Sequence, residues 1–140
     1  MNVVVIYESL TGNTRRAAEL IGGAAKAAGA EVSVRSITNL DLNELARADV
    51  VFVGTWVDGL ILLGHRPGRV KRFWTMPVLD GKPVAAFMTY AINPGGALRK
   101  FVRVLEGVGA EVVAARQFRR DRVERDVAQF VADAFGRVPV

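Results

Sequence analysis

Five stretches of the chain are rich in β-branched and other apolar residues and predict β-strands. They cover residues 2–7, 31–37, 49–55, 82–90 and 110–118. The first, third and fourth are almost continuously apolar, as expected of strands covered on both faces of a parallel sheet. The second and fifth alternate between apolar and polar residues, which predicts positions at the edges of the sheet.

Apolar residues three and four positions apart predict helices between these strands. Helices are expected over residues 14–28, 42–48, 94–108 and 121–135, with a short helix of mixed character over 65–76. Alternating strands and helices joined by right-handed crossovers give a parallel sheet with helices on both faces. Five strands fit the order 2-1-3-4-5, whose ligands bind where the strand order reverses. We therefore predict a three-layer α/β sandwich, with residues 1–140 forming a single domain.

Composition narrows the classes of function. The chain has 140 residues, of which 51% are hydrophobic and 24% charged, values typical of a globular protein. Cysteine is absent, which excludes thiol catalysis and cysteine–metal sites, and the one histidine, His65, is expected in a surface loop. We predict no metal site and no catalytic side chain. Since no apolar run is long enough to span a membrane, the sequence predicts a soluble cytoplasmic protein.

The junction after the first strand concentrates groups that bind phosphate. Ser9, Thr11 and Thr14 supply hydroxyls, Gly12 allows close backbone approach, and the following helix begins with free amides. The simpler alternative is that Asn13 or Thr14 caps the helix. A helix cap needs only one such hydroxyl, however, and this junction has three. The lysine of a P-loop and the three glycines of a dinucleotide fingerprint are missing, which disfavours ATP, GTP and NAD.

The segment Ser9-Leu10-Thr11-Gly12-Asn13-Thr14 resembles the flavodoxin phosphate loop, S/T-x-T-G-x-T, at every specified position. The resemblance, which covers nearly the whole chain, is to a short-chain flavodoxin with the fold predicted above. It implies that these six residues hold the phosphate of flavin mononucleotide (FMN).

Two further segments resemble the loops that flank the flavin. "GTWVDG", residues 54–59, follows the third strand, and the resemblance implies that Trp56 covers one face of the flavin ring. "TYAINPGGAL", residues 89–98, follows the fourth strand and offers Tyr90 for the other face, although the family's usual Gly-Asp start is missing. The candidate residues from these loops are Thr55, Trp56, Val57, Asp58, Gly59, Thr89, Tyr90 and Ala91.

The implied function is non-covalent FMN binding and one-electron transfer, by a carrier rather than a stand-alone enzyme. Two alternatives remain open at this point. One is a small NAD(P)H- or quinone-linked oxidoreductase of the same fold. The other is a binding module that has lost the flavin and works through its basic surface.

The net charge of +5 departs from the acidic character typical of the family. Residues 1–50 carry five basic and six acidic groups, whereas residues 51–140 carry fourteen and eight. The excess predicts a redox partner with an acidic docking face and a fully reduced, anionic flavin that forms more easily. The alternative is a basic surface without a role beyond solubility. The basic run over residues 116–126 contains a single aromatic residue, Phe118, so neither nucleic acid nor membrane is a predicted partner.

Overall fold

The computed structural model describes residues 1–9, 12–58, 66–67 and 79–139. The strands are β1 (Asn2–Tyr7), β2 (Glu31–Ser36), β3 (Val50–Asp58), β4 (Arg66–Pro67), β5 (Pro83–Tyr90) and β6 (Glu111–Arg119). The helices are α1 (Asn13–Ala27), α2 (Leu42–Arg47), α3 (Ala97–Gly107) and α4 (Val123–Gly136). None of these helices is long and apolar enough to cross a membrane.

The central sheet has the order β2-β1-β3-β5-β6, and each neighbouring pair along it is parallel. Counted over the five predicted strands, this is the order 2-1-3-4-5, so the predicted fold is confirmed. The strands with alternating patterns, β2 and β6, lie at the two edges as expected. The strand order reverses between β1 and β3, which puts the expected ligand site at the carboxyl ends of those strands.

The helix expected over residues 65–76 is wrong at Arg66–Pro67, the part of it that the structure describes. These two residues form β4, which pairs antiparallel with Val57 and Asp58 at the end of β3. Because β3 extends beyond its predicted end at residue 55, its last residues offer backbone groups for pairing, and Pro67 lacks the N–H that a helix interior requires. His65 and residues 68–76 lie outside the described residues.

Two apolar cores lie on opposite faces of the sheet. In β1, Val3 and Val5 pack toward α1 and α4, whereas Val4 and Ile6 pack toward α2 and α3. This alternation explains the continuous apolar pattern of β1, because both faces of the strand are covered.

Helix α1 lies very close to the sheet. A Cβ atom on Gly22 would lie 2.6 Å from Cγ2 of Val34 in β2, so this position of the helix has no room for a side chain. Close packing along the helix fixes where its N-terminus meets the carboxyl ends of the strands.

Candidate cofactor site

A cleft opens at the carboxyl edge of the sheet, where the start of α1 meets the ends of β3 and β5. Seven of the residues predicted from sequence line it: Asn13, Thr14, Trp56, Val57, Thr89, Tyr90 and Ala91. These residues come from all three predicted segments, which are far apart in sequence. The structure therefore brings the phosphate-loop end of α1 and both candidate ring residues into one cavity.

The loop before α1 is shaped by Gly12 and Ser9. Gly12 has φ of 91°, a left-handed conformation that favours glycine, and the space beside its Cα is open. The Ser9 hydroxyl oxygen accepts hydrogen bonds from the backbone N–H groups of Gly12 at 3.0 Å and Arg15 at 3.4 Å. Helix α1 has Gly12 at its N-cap and no side-chain cap bond there, so the alternative that Asn13 or Thr14 caps the helix is wrong; the Ser9 hydroxyl instead bonds backbone N–H groups of the loop and first turn.

Thr14 is joined to β5 through its side chain. Its hydroxyl oxygen lies 2.9 Å from that of Thr89, and both side chains are buried. A hydroxyl has one hydrogen to donate and two lone pairs. When Thr89 donates in this pair, Thr14 keeps its own hydrogen for a ligand oxygen, so the bond to β5 and a contact to phosphate are compatible.

The two arginines in the first turn of α1 are paired with carboxylates. Arg15 donates to Glu19 one turn further along the helix, at 3.0 Å, and Arg16 donates to Glu124 of α4, also at 3.0 Å. Their presence beside the positive end of the helix dipole is therefore explained without a ligand.

The other predicted residues have different placements. Thr55 is fully buried in β3, with an accessible fraction of 0%, and does not line the cleft. Asp58 ends β3, where its backbone pairs with Arg66. Leu10, Thr11 and Gly59 lie outside the described residues.

Two residues at this edge were not predicted from sequence. Glu8 is buried at the end of β1, and its backbone N–H donates to the carbonyl of Gly54 at 2.9 Å. Arg120 lines the cleft and follows β6 directly. A strand-end position could have identified Arg120, but the surrounding charge run favoured its interpretation as solvated surface.

The residues of the cleft fit FMN. A helix N-terminus with neighbouring hydroxyls suits a phosphate, because its first amides have no partner inside the helix. Trp56 and Tyr90, both half-buried, supply aromatic surface for an isoalloxazine ring in the same cavity. FMN would supply the electron-transfer chemistry, and the side chains of this cleft would bind and orient it.

The doubly wound parallel sheet, with a cleft at the carboxyl ends of its strands, defines a class of small α/β proteins that bind ligands at this edge. Comparison with known proteins identifies the family within that class. A family model described as a flavodoxin domain matches residues 4–103. The chain belongs to the flavodoxin family, and it is an FMN-binding electron-transfer protein.

Individual relatives agree with this assignment. A flavodoxin from Megasphaera elsdenii is 33% identical over 113 residues, covering 79% of this chain and 81% of the relative. A flavodoxin from Clostridium beijerinckii is 28% identical over 129 residues, covering 90% and 94%. The solution structure of two-electron reduced Megasphaera elsdenii flavodoxin superimposes with a TM-score of 0.78 at 27% identity, covering 94% of this chain and 96% of that one. Nothing in these comparisons favours the oxidoreductase or the flavin-free module.

Proposed function

We propose that the cleft at the ends of β3 and β5 is where this flavodoxin holds FMN. The phosphate lies at residues 9–14 and the N-terminus of α1, and the ring lies between Trp56 and Tyr90. The observation that carries the proposal is the cavity shared by Thr14, Trp56 and Tyr90, three residues from separate segments.

The phosphate part of the proposal is tested by comparing FMN with riboflavin, which lacks the phosphate. Thr14→Val removes a hydroxyl while keeping the shape of the side chain. It should weaken FMN binding by about 1–3 kcal/mol, the usual cost of leaving a charged acceptor short of a donor, and leave riboflavin binding nearly unchanged. Equal affinities of the wild-type protein for FMN and riboflavin would contradict a phosphate site in this loop.

The ring part is tested by tryptophan fluorescence. Binding of FMN should quench Trp56 strongly, and Trp56→Ala should remove most of the quenching and weaken binding. Trp56→Phe keeps an aromatic face and serves as the matched control, since it should retain most of the affinity. If Trp56→Ala binds FMN as tightly as Trp56→Phe, the side chain does not stack on the ring.

Flavodoxins pass electrons to redox partners, and we further propose that the partner of this protein has an acidic docking face. Three exposed arginines support this: Arg99 at the start of α3, and Arg122 and Arg125 at the start of α4. All three lie near the edge of the sheet that carries the cleft. Ile92, beside the cleft residue Ala91, is 80% exposed and offers an apolar contact within this basic surface.

Small redox probes of opposite charge test the basic surface directly. The reduced holoprotein should be oxidised by anionic ferricyanide in a reaction that slows as salt is added, because attraction is screened. Oxidation by a cationic cobalt(III) complex should instead speed up with salt. The opposite pair of salt dependences would exclude an electropositive docking edge.

Slow oxidation of NADPH by the holoprotein alone is expected of a carrier, whereas rapid turnover would indicate an oxidoreductase. Location in the cytoplasm and a single domain stay predictions from the sequence.

A further inference from the structure

Arg120 has a position that the sheet itself determines. Its backbone N–H donates to the carbonyl of Tyr90 at 2.9 Å, which continues the pairing of β6 with β5 by one residue. Tyr90 lines the cleft, as does Arg120. The backbone at residue 120 is thus held beside the cleft by a strand hydrogen bond rather than by loop conformation alone.

The guanidinium of Arg120 also differs from those of nearby arginines in the carboxylates that surround it. Arg119 is paired with Asp121 at 3.0 Å, Arg116 with Asp126 at 3.4 Å, and Arg16 with Glu124 at 3.0 Å. Within the described ranges, Arg120 has no carboxylate in salt-bridge range. Its guanidinium therefore remains available to an anion that enters the cleft.

The alternating directions of the side chains along β6 indicate on which face of the sheet, and at which end of the cleft, Arg120 lies. Ala114 and Phe118 of β6 belong to the core that α1 and α4 cover. Arg120 lies in the turn directly after β6, two residues from Phe118, and its N–H still pairs with β5. Continuing the period of two therefore assigns it to the same face of the sheet. The N-terminus of α1 meets the cleft on that face, where Thr14 contacts Thr89.

We propose that Arg120 binds the phosphate of FMN, opposite the amides at the start of α1. This inference rests on the cofactor position proposed above and adds a cationic contact that the loop at residues 9–14 does not supply. The planar guanidinium can donate two parallel hydrogen bonds to a phosphate, a geometry that a lysine cannot reproduce.

The test compares Arg120→Gln with Arg122→Gln. Both variants remove one positive charge from an exposed side chain, two residues apart, but Arg122 does not line the cleft. Dissociation constants for FMN and riboflavin are obtained from flavin fluorescence on serial dilution of each complex. Arg120→Gln should weaken FMN binding about tenfold, as expected for one lost charge-assisted hydrogen bond, and leave riboflavin binding within about twofold. Arg120→Lys should lie between wild type and Arg120→Gln, and Arg122→Gln should match wild type.

The inference is overturned if Arg120→Gln and Arg122→Gln weaken FMN equally, because the effect would then be that of net charge. It is also overturned if FMN and riboflavin lose the same affinity, or if neither does. In those cases a wild-type preference for FMN over riboflavin would leave the phosphate site at residues 9–14 standing. A wild-type protein without that preference would remove the phosphate site and this inference together.

Discussion

The hydrogen bond between Thr14 and Thr89 should couple the stability of α1 to that of β5. The two hydroxyls lie 2.9 Å apart, and the side chains are only 1% and 2% exposed. Replacing either threonine with valine leaves the other hydroxyl buried without this partner. Each single variant should therefore lose about 1–3 kcal/mol of unfolding free energy.

The double variant Thr14→Val/Thr89→Val should lose much less than the sum of the two single losses. With both hydroxyls gone, the site contains two apolar side chains of similar shape and no unsatisfied group, an arrangement that is often close to neutral. Two single losses of about 1–3 kcal/mol each and a nearly neutral double variant give a coupling energy of about 2–6 kcal/mol, well above the roughly 0.5 kcal/mol seen for independent sites.

Urea unfolding of the flavin-free protein is the appropriate assay, because bound FMN would add its own stabilisation to every variant. FMN binding then gives a second, independent measurement. Thr89→Val should keep the preference for FMN over riboflavin, whereas Thr14→Val should reduce it. Additive effects of the two substitutions on stability would refute the reasoning, since they would show that the hydroxyls do not depend on each other.

Three further predictions concern packing, pH and charge. Gly54→Ala places a Cβ against the buried ring of Phe87 and should lower the free energy of unfolding, measured in urea, by about 1–3 kcal/mol. Adding Phe87→Leu should recover part of this loss. An equal effect of Gly54→Ala in the wild-type protein and in the Phe87→Leu variant would contradict this. The hydrogen bonds from Arg35 lower the pKa of Glu44 from its ordinary value of 4.5, against the opposing effect of burial. Glu44→Gln should therefore destabilise the protein at neutral pH. The difference should shrink as pH falls from about 4.5, where the carboxylate of the unfolded chain takes up its proton, and vanish below the lower pKa of the folded carboxylate; a pH-independent difference would exclude this. The net charge of +5 should raise the potential of the second one-electron reduction of FMN, relative to that of an acidic flavodoxin, by on the order of 50 mV at low salt. For a one-electron step, about 59 mV corresponds to about 1.4 kcal/mol of electrostatic attraction between the protein and the reduced flavin. Redox titrations insensitive to salt would show that the charges are too distant.

Much of the fold could be predicted because its strands carry strong, local patterns. Strands covered on both faces must be apolar throughout, so β1, β3 and β5 stand out in the sequence. The failure at Arg66–Pro67 has a different origin. A two-residue strand is too short to show any periodicity, and it forms through pairing with β3, which is a non-local interaction.

The candidate site shows the same division between features with a local sequence pattern and features that depend on non-local contacts. Trp56 and Tyr90 were found because each belongs to a segment that resembles a known loop, and the cleft contains both. Ser9 was assigned to the phosphate, yet its oxygen accepts backbone hydrogen bonds from Gly12 and Arg15. The sequence cannot distinguish a hydroxyl that binds a ligand from one that shapes the loop, because both uses require the same residue at the same position.

Arg120 is a residue of the cleft that the sequence pattern does not identify. Its charge run predicts a solvated surface, and the pairs formed by Arg116 and Arg119 agree with that interpretation. What distinguishes Arg120 is the register of β6 against β5, which brings Arg119 opposite Tyr90 and leaves the next residue at the cleft. Register is determined by the whole sheet, including the irregularity between Val84 and Ala85, and a shift of one residue would turn a different side chain toward α1. The position of this positive charge is therefore a consequence of tertiary structure.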